Sequence, residues 1–117
     1  MKVSIIIPCF NEEKTIKVIL EKILKLNQLI KQIIIIDDCS TDNSLDEIEK
    51  IKSSFDDIVV IKHKKNLGKG AAIKSSKSYI NGDIVVIQDA DLEYEPVDIL
   101  KLIHPIINKE CLVVYGS

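Results

Sequence analysis

The chain has 117 residues, 46% of them hydrophobic and 29% charged, with a net charge of −2. Those values describe one globular domain and speak against a broadly basic nucleic-acid-binding protein. All sixteen basic residues are lysines, so a bound phosphate must be met by point charges, backbone N–H groups or a metal rather than by a bidentate guanidinium.

The opening "MKVSIIIPCFNEE" carries an apolar run too short for a secretion signal, and its "VSIII" (3–7) reads as the first strand. The segment "EEKTIKVILEKILKLNQLI" follows as a helix, with Ile16, Ile19, Leu20, Ile23 and Leu24 on one face and lysines on the other. Then come a strand "QIIIID" (32–37), a helix "SLDEIEKIKSSF", a strand "DIVVIK" (57–62), a helix "AAIKSSKSYI" and a strand "DIVVIQ" (83–88). A helix "EPVDILKLIHPII" opens at Pro96 and bends or ends near His104-Pro105, and "CLVVYG" (111–116) is the fifth strand. Near-continuous Ile and Val runs are those of parallel strands covered on both faces. The β-α-β-α-β-α-β-α-β order therefore gives an α/β class with a largely parallel sheet.

No stretch approaches the ~18 uninterrupted apolar residues of a spanning helix. Cys9, Cys39 and Cys111 are widely spaced and form no CxxC pair, which suits a reducing compartment. The expected location is the cytoplasm, at most peripheral to the cytoplasmic membrane face. Because the fifth strand finishes at the last residues, the chain reads as the first part of something larger.

Open α/β sheets bind ligands beyond the carboxyl ends of their strands, and the polar turns of this sequence fall there. They are "PCFNEE", "DDCSTDNS", "HKKNLGKGAA" and "QDADLEYEP". Ser, Thr, Asp and Asn are also ordinary turn and cap residues, and "NLGKG" is neither a P-loop nor a dinucleotide fingerprint. "HKK" reads as a solvated basic loop, with His63 and His104 given no special role. Asp89, Asp91 and Glu93 alternate where a buried run ends, where carboxylates repel each other, so a divalent cation or a solvated loop are both open.

Taken together and in order, the Pro-Asn-Glu turn, the DD-x-S-x-D loop, the N-x-G-K-G turn and the D-x-D motif resemble the nucleotide-sugar half of family 2 glycosyltransferases. The tail "DADLEYEPVDILKLIHPIINKECLVVYGS" is similar to the branch of dolichyl- and polyprenyl-phosphate mannosyl- and glucosyltransferases. The resemblance covers the whole chain, residues 1–117, as one nucleotide-sugar-binding part. It implies a GT-A fold, a Rossmann-like three-layer α/β/α arrangement. It further implies metal-assisted, inverting transfer of a hexose from a GDP-mannose or UDP-glucose type donor to an acceptor such as a polyprenyl phosphate, with no nucleic acid involved.

Residue by residue, the resemblance implies that Pro8, Phe10 and Glu12 border the nucleoside, and that Ile36 and Asp38 close around base and ribose. Asp89, Ala90 and Asp91 would meet the ribose and diphosphate, and Lys69 would reach toward the phosphates. Asp89, Asp91 and Glu93 would hold Mg2+ or Mn2+. No catalytic base is assigned, because relatives build the acceptor site beyond the point where this sequence stops. The alternative is a truncated, non-catalytic nucleotide-sugar-binding remnant. A phosphoacceptor receiver domain is set aside, since its acids follow strands one and three. Cys39 departs from the Gly or Asn that relatives carry and fits poorly if its φ is positive.

Overall fold

A computed structural model describes residues 2–25, 30–53 and 55–88, together with the backbone of 112–115. Five strands, β1 (Val3–Cys9), β2 (Ile30–Asp37), β3 (Ile58–Lys62), β4 (Ile84–Ile87) and β5 (Leu112–Tyr115), form one sheet in the order β3-β2-β1-β4-β5. Every neighbouring pair is parallel. The chain builds outward from β1 to β3, then crosses back to place β4 on the other side of β1. The strand order therefore reverses at β1, and the crevice of such a sheet lies beyond the carboxyl ends at that reversal.

Alternation along each strand sorts the side chains onto two faces. Val3, Ile5, Ile7 and Cys9 of β1 and Ile33 and Ile35 of β2 pack with Ile16, Ile19, Leu20 and Ile23 of α1 (Ile16–Leu24) and Ile48 and Ile51 of α2 (Ser44–Lys52). On the opposite face Ile6, Ile34, Ile36, Val85 and Ile87 pack with Ala72 of α3 (Lys69–Ser76), and Ile73 and Ile80 lean against them. The three-layer α/β/α expectation is met. The apolar stripe of α1 falls where its spacing predicts, with Leu24 only partly buried. A 3-10 turn, Lys77–Tyr79, continues α3. α2 carries Asp46 and Glu47 in its first turn and Lys50 and Lys52 in its last, complementing the helix dipole.

Several boundaries differ from the sequence reading, two of them in the central strands. The helix pattern running to Ile30 gives way earlier: Ile30 belongs to β2 and pairs with Val3, while Ser4 pairs with Gln32. One extra residue, the exposed Lys31, sits between these partners as a bulge, so Ile30 joins the α1/α2 core while Gln32 lies on the opposite face with Ile34 and Ile36. β1 also runs beyond Ile7 to Cys9 and contains Pro8 opposite Ile36.

The proline does not break the sheet because of the direction its missing donor would face. Ile6 C=O accepts from Gln88 N–H on the β4 side, and Cys9 C=O accepts from Asp38 N–H on the β2 side. Even-numbered residues of β1 thus bond toward β4, and the absent N–H of Pro8 lies on that side, just past the last β1–β4 partners, Ile6 and Ile87. Pro8 ends the pairing of β1 with β4 while β1–β2 continues. The crevice opens there.

At the opposite, amino edge of the sheet a buried polar network closes the layer. Ser4 Oγ donates to Gln32 Oε1 at 2.7 Å and accepts from Gly82 N–H at 2.9 Å. Gln32 Oε1 also accepts from Asn81 N–H at 2.7 Å, and its Nε2 donates to Tyr79 C=O at 2.9 Å. Every polar atom of this network that burial would otherwise orphan has a partner.

Candidate functional site

The carboxyl edge gathers the residues singled out from β1 and β2. Pro8 and Ile36 are direct register partners, and Phe10 and Asp38 continue the same alternating positions past the strand ends. Pro8, Ile36 and Asp38 fall on the α3 side of the sheet. Phe10 is 43% exposed. Ile36 is fully buried.

The two aspartates of "DDCSTD" separate. Asp37 lies on the α1/α2 side, where one carboxylate oxygen accepts from Ser40 N–H at 3.3 Å and the other is buried without a partner. Asp38 lies on the α3 side and is 4% exposed. Its Oδ1 accepts from His63 Nδ1 at 2.8 Å and Leu67 N–H at 2.9 Å, and its Oδ2 accepts from Gly68 N–H at 2.8 Å. Burial by itself raises the Asp38 carboxyl. The hydrogen bonds from Leu67, His63 and Gly68 outweigh it and hold the group below the usual carboxylate value.

His63 corrects the solvated-loop reading of "HKK". Its side chain is 8% exposed, and its Nε2 lies 2.8 Å from Ser75 Oγ on α3. Since ionised Asp38 can only accept, Nδ1 carries the proton, and in the neutral ring Ser75 donates to Nε2. The chain Ser75–His63–Asp38 ties α3 to β2. Its sequence signal was register: Asp37 pairs with Lys62, so Asp38 and His63 are the next pair along neighbouring strands.

Gly68 precedes α3 with φ +94°, a conformation that delivers its N–H to Asp38 and that side chains rarely adopt. Lys69 follows as the first residue of α3 and is exposed. The loops after β1 and β2 are stitched together. Asn11 N–H donates to Ser40 Oγ, Thr41 N–H to Asn11 Oδ1, Glu12 N–H to Ser44 Oγ, Glu13 N–H to Asp42 Oδ2 and Asn43 N–H to Glu13 Oε2. Glu12 also accepts from Thr15 Oγ1 at 3.1 Å, at the start of α1.

Cys39 adopts φ +63°, as does Asn11 at φ +54°. Asn tolerates this region; Cys does so at a cost. Cys9 and Cys39 are the cysteines among the described residues. Both thiols are free, but Cys9 is buried in the α1/α2 core, where burial, and then the Asp37 charge, push its thiol up to about 12.

Asp89, Ala90, Asp91 and Glu93 lie outside the described residues, as do His104, Cys111 and the helix expected from Pro96. Gln88, the residue before Asp89, is bonded to Ile6 at the carboxyl edge. Among the described residues no group of three or more His, Cys, Asp or Glu comes together to hold a metal, and no helix is long and apolar enough to cross a membrane.

The model of glycosyl transferase family 2 matches residues 4–117. An undecaprenyl-phosphate 4-deoxy-4-formamido-L-arabinose transferase of Proteus mirabilis (strain HI4320) is 34% identical over 106 residues, which cover 87% of this chain and 32% of the relative. The chain thus spans about a third of the length of the curated relatives it matches. Among solved structures, glucosyl-3-phosphoglycerate synthase from Mycobacterium tuberculosis, with Mn2+ and UDP-Glc, superposes with a TM-score of 0.73 at 31% identity, covering 93% of this chain and 40% of that one. A mannosyltransferase from Pyrobaculum calidifontis, with GDP-Man and Mn2+, gives a TM-score of 0.70 at 25% identity, covering 77% and 27%. The fold is the Rossmann-like GT-A arrangement of these neighbours.

Proposed function

The chain belongs to glycosyltransferase family 2, and from that premise we propose that it binds the nucleoside-diphosphate sugar in a hexosyltransferase whose acceptor is a polyprenyl phosphate. The observation that carries the reading is the convergence of Pro8, Phe10, Ile36 and Asp38 at the carboxyl edge, where Pro8 releases β1 from β4. Neighbours of this fold hold GDP-Man or UDP-Glc with Mn2+, and relatives are named for undecaprenyl phosphate. The donor is of the GDP-mannose or UDP-glucose type.

In this reading Phe10 packs beside the base, with Pro8 and Glu12 along the nucleoside. Asp38 is held rigid by His63, Leu67 and Gly68, so it meets the nucleoside without first paying to be ordered. Lys69 stands at the start of α3, where a cation and the helix N-terminus both favour phosphate. Asp89, Asp91 and Glu93, three hard oxygen donors directly after Gln88, suit Mg2+ or Mn2+, and Asp89, Ala90 and Asp91 would meet the ribose and diphosphate. Such an ion supplies Lewis-acid stabilisation of the charge on the departing diphosphate. A lipid phosphate is already ionised at neutral pH, so attack on the anomeric carbon from the opposite side requires positioning more than a general base.

The test is unfolding of the chain with UDP or GDP, with and without Mn2+. Nucleotide plus Mn2+ at a hundredfold excess over Kd should stabilise it by about 2.7 kcal/mol. Asp91→Asn should abolish the Mn2+-dependent part and leave the metal-free protein as stable as before. Stabilisation by neither nucleotide refutes donor binding, and an Asp91→Asn chain that unfolds without metal makes Asp91 structural.

A further inference from the structure

The lysines are unevenly placed. Residues 58–82, from β3 through α3 to the turn before β4, contain Lys62, Lys64, Lys65, Lys69, Lys74 and Lys77 and no acid, a local charge of +6. The other 92 residues carry ten lysines and eighteen acids. All six lysines of the segment are exposed. β3 is at the end of the strand order, and α3 covers the sheet face opposite α1 and α2. Within α3 the buried positions are Ala72 and Ser76, which leaves Lys74, and Lys77 just beyond it, on the outer side. A solvated run of lysines would account for the charge alone. Two apolar groups are exposed among them: Leu67, between Lys65 and Lys69, is 50% exposed, and Tyr79, two residues after Lys77, is 48% exposed.

We propose that this β3–α3 face docks on an anionic lipid bilayer, the lysines meeting headgroup phosphates while Leu67 and Tyr79 enter the interface. Charge complementarity selects the occupant. An anionic surface attracts this segment and, on balance, repels the rest of the chain, whose net charge is −8, so the lysine-bearing face is the one that turns toward it. Long cationic side chains around an aliphatic residue and a tyrosine are the groups that an interfacial layer accepts together. Leu67 N–H is bonded to Asp38, so the docked face shares its edge with the candidate site. The proposal uses no property of nucleotide binding and stands or falls separately from sugar transfer.

The experiment is cosedimentation of the 117-residue chain, without nucleotide, with vesicles of phosphatidylcholine alone or mixed with phosphatidylglycerol. Binding is expected only to the mixed vesicles, and it should disappear between about 0.1 M and 1 M salt as the screening length falls from about 10 Å to about 3 Å. Lys64→Glu with Lys65→Glu, and separately Lys74→Glu with Lys77→Glu, should each weaken binding roughly tenfold or more. Lys17→Glu with Lys52→Glu, the same charge change at exposed positions of α1 and α2, should not. Leu67→Ser should weaken binding while leaving its salt dependence in place. Circular dichroism establishes that each variant is folded. No binding to the mixed vesicles, equal losses for all three lysine pairs, or tighter binding to a DNA duplex than to vesicles overturns the proposal.

Discussion

Replacing Asp38 by Asn separates a binding residue from a structural one. The carboxylate takes three donors, His63 Nδ1 and Leu67 N–H on one oxygen and Gly68 N–H on the other, at 2.8–2.9 Å. An asparagine can keep its oxygen toward His63 and Leu67, but its NH2 then faces the Gly68 N–H, donor against donor. One charge-assisted bond is lost, and the two that remain weaken. Bonds to a charged group contribute about 1.5–3 kcal/mol each, so Asp38→Asn should cost roughly 2–3 kcal/mol, and Asp38→Ala, which orphans all three donors, about 4–5 kcal/mol. Urea unfolding measures both, with m unchanged. The pH dependence follows from the depressed carboxyl of folded Asp38. Its stabilisation is present in full above the unfolded value of about 3.9 and is lost as pH falls through the lower folded value, so the gap between wild type and Asp38→Asn should hold near neutrality and close in acid. A variant within about 0.5 kcal/mol of wild type at pH 7 refutes the reasoning. Asp38 would then be a free ligand contact, and the hydrogen bonds around it would hold nothing together.

Cys39→Gly should raise stability by up to about 1 kcal/mol, because φ +63° strains a residue with a Cβ; a thermal melt of the two proteins checks it. Gly82→Ala should destabilise by roughly 2–3 kcal/mol or prevent folding, since the new Cβ would lie 2.6 Å from Ser4 Oγ and 2.8 Å from Ser4 N. Adding Ser4→Ala to it should restore only part of that loss in the same urea titration, because the backbone contact remains. Iodoacetamide at pH 8 followed by peptide mapping should label Cys39 well ahead of Cys9, whose thiol is pushed up to about 12 and buried.

The strands and the α1 stripe were legible because each depends on local period: Ile and Val runs for buried parallel strands, Ile16, Ile19, Leu20 and Ile23 for one helical face. Ile30 was misplaced because a helical pattern and a strand start share the apolar Leu29-Ile30 pair, and only pairing with Val3 decides between them. His63 was missed for a related reason. Its partner is 25 residues away, and nothing in "HKK" signals a buried imidazole until β2 and β3 are aligned. Pro8 was assigned to the nucleoside by resemblance alone; its mechanical part, ending the β1–β4 ladder, depends on which side of the strand its missing N–H faces. The direction of Cys9 was equally a matter of strand parity, fixed once Val3, Ile5 and Ile7 are known to face α1 and α2.

The density of polar residues in the turns has two sources that the sequence cannot separate. Asn11, Glu12, Glu13, Ser40, Thr41, Asp42 and Ser44 resemble ligand groups, yet they bond mainly across the two loops or to their own helix starts. Asp42 illustrates the consequence. Burial would raise its carboxyl, but the bonds from Ser44 and Glu13 N–H lower it, so it is ionised as a loop strut. Groups consumed in this way cannot also bind a diphosphate without breaking the stitching. What they supply is order, since every side chain and loop fixed before binding is entropy that the ligand does not have to remove. In the proposed site the diphosphate is therefore met beside the struts, by the carboxylates that follow Gln88, while Pro8, Phe10, Glu12 and Asp38 border the nucleoside.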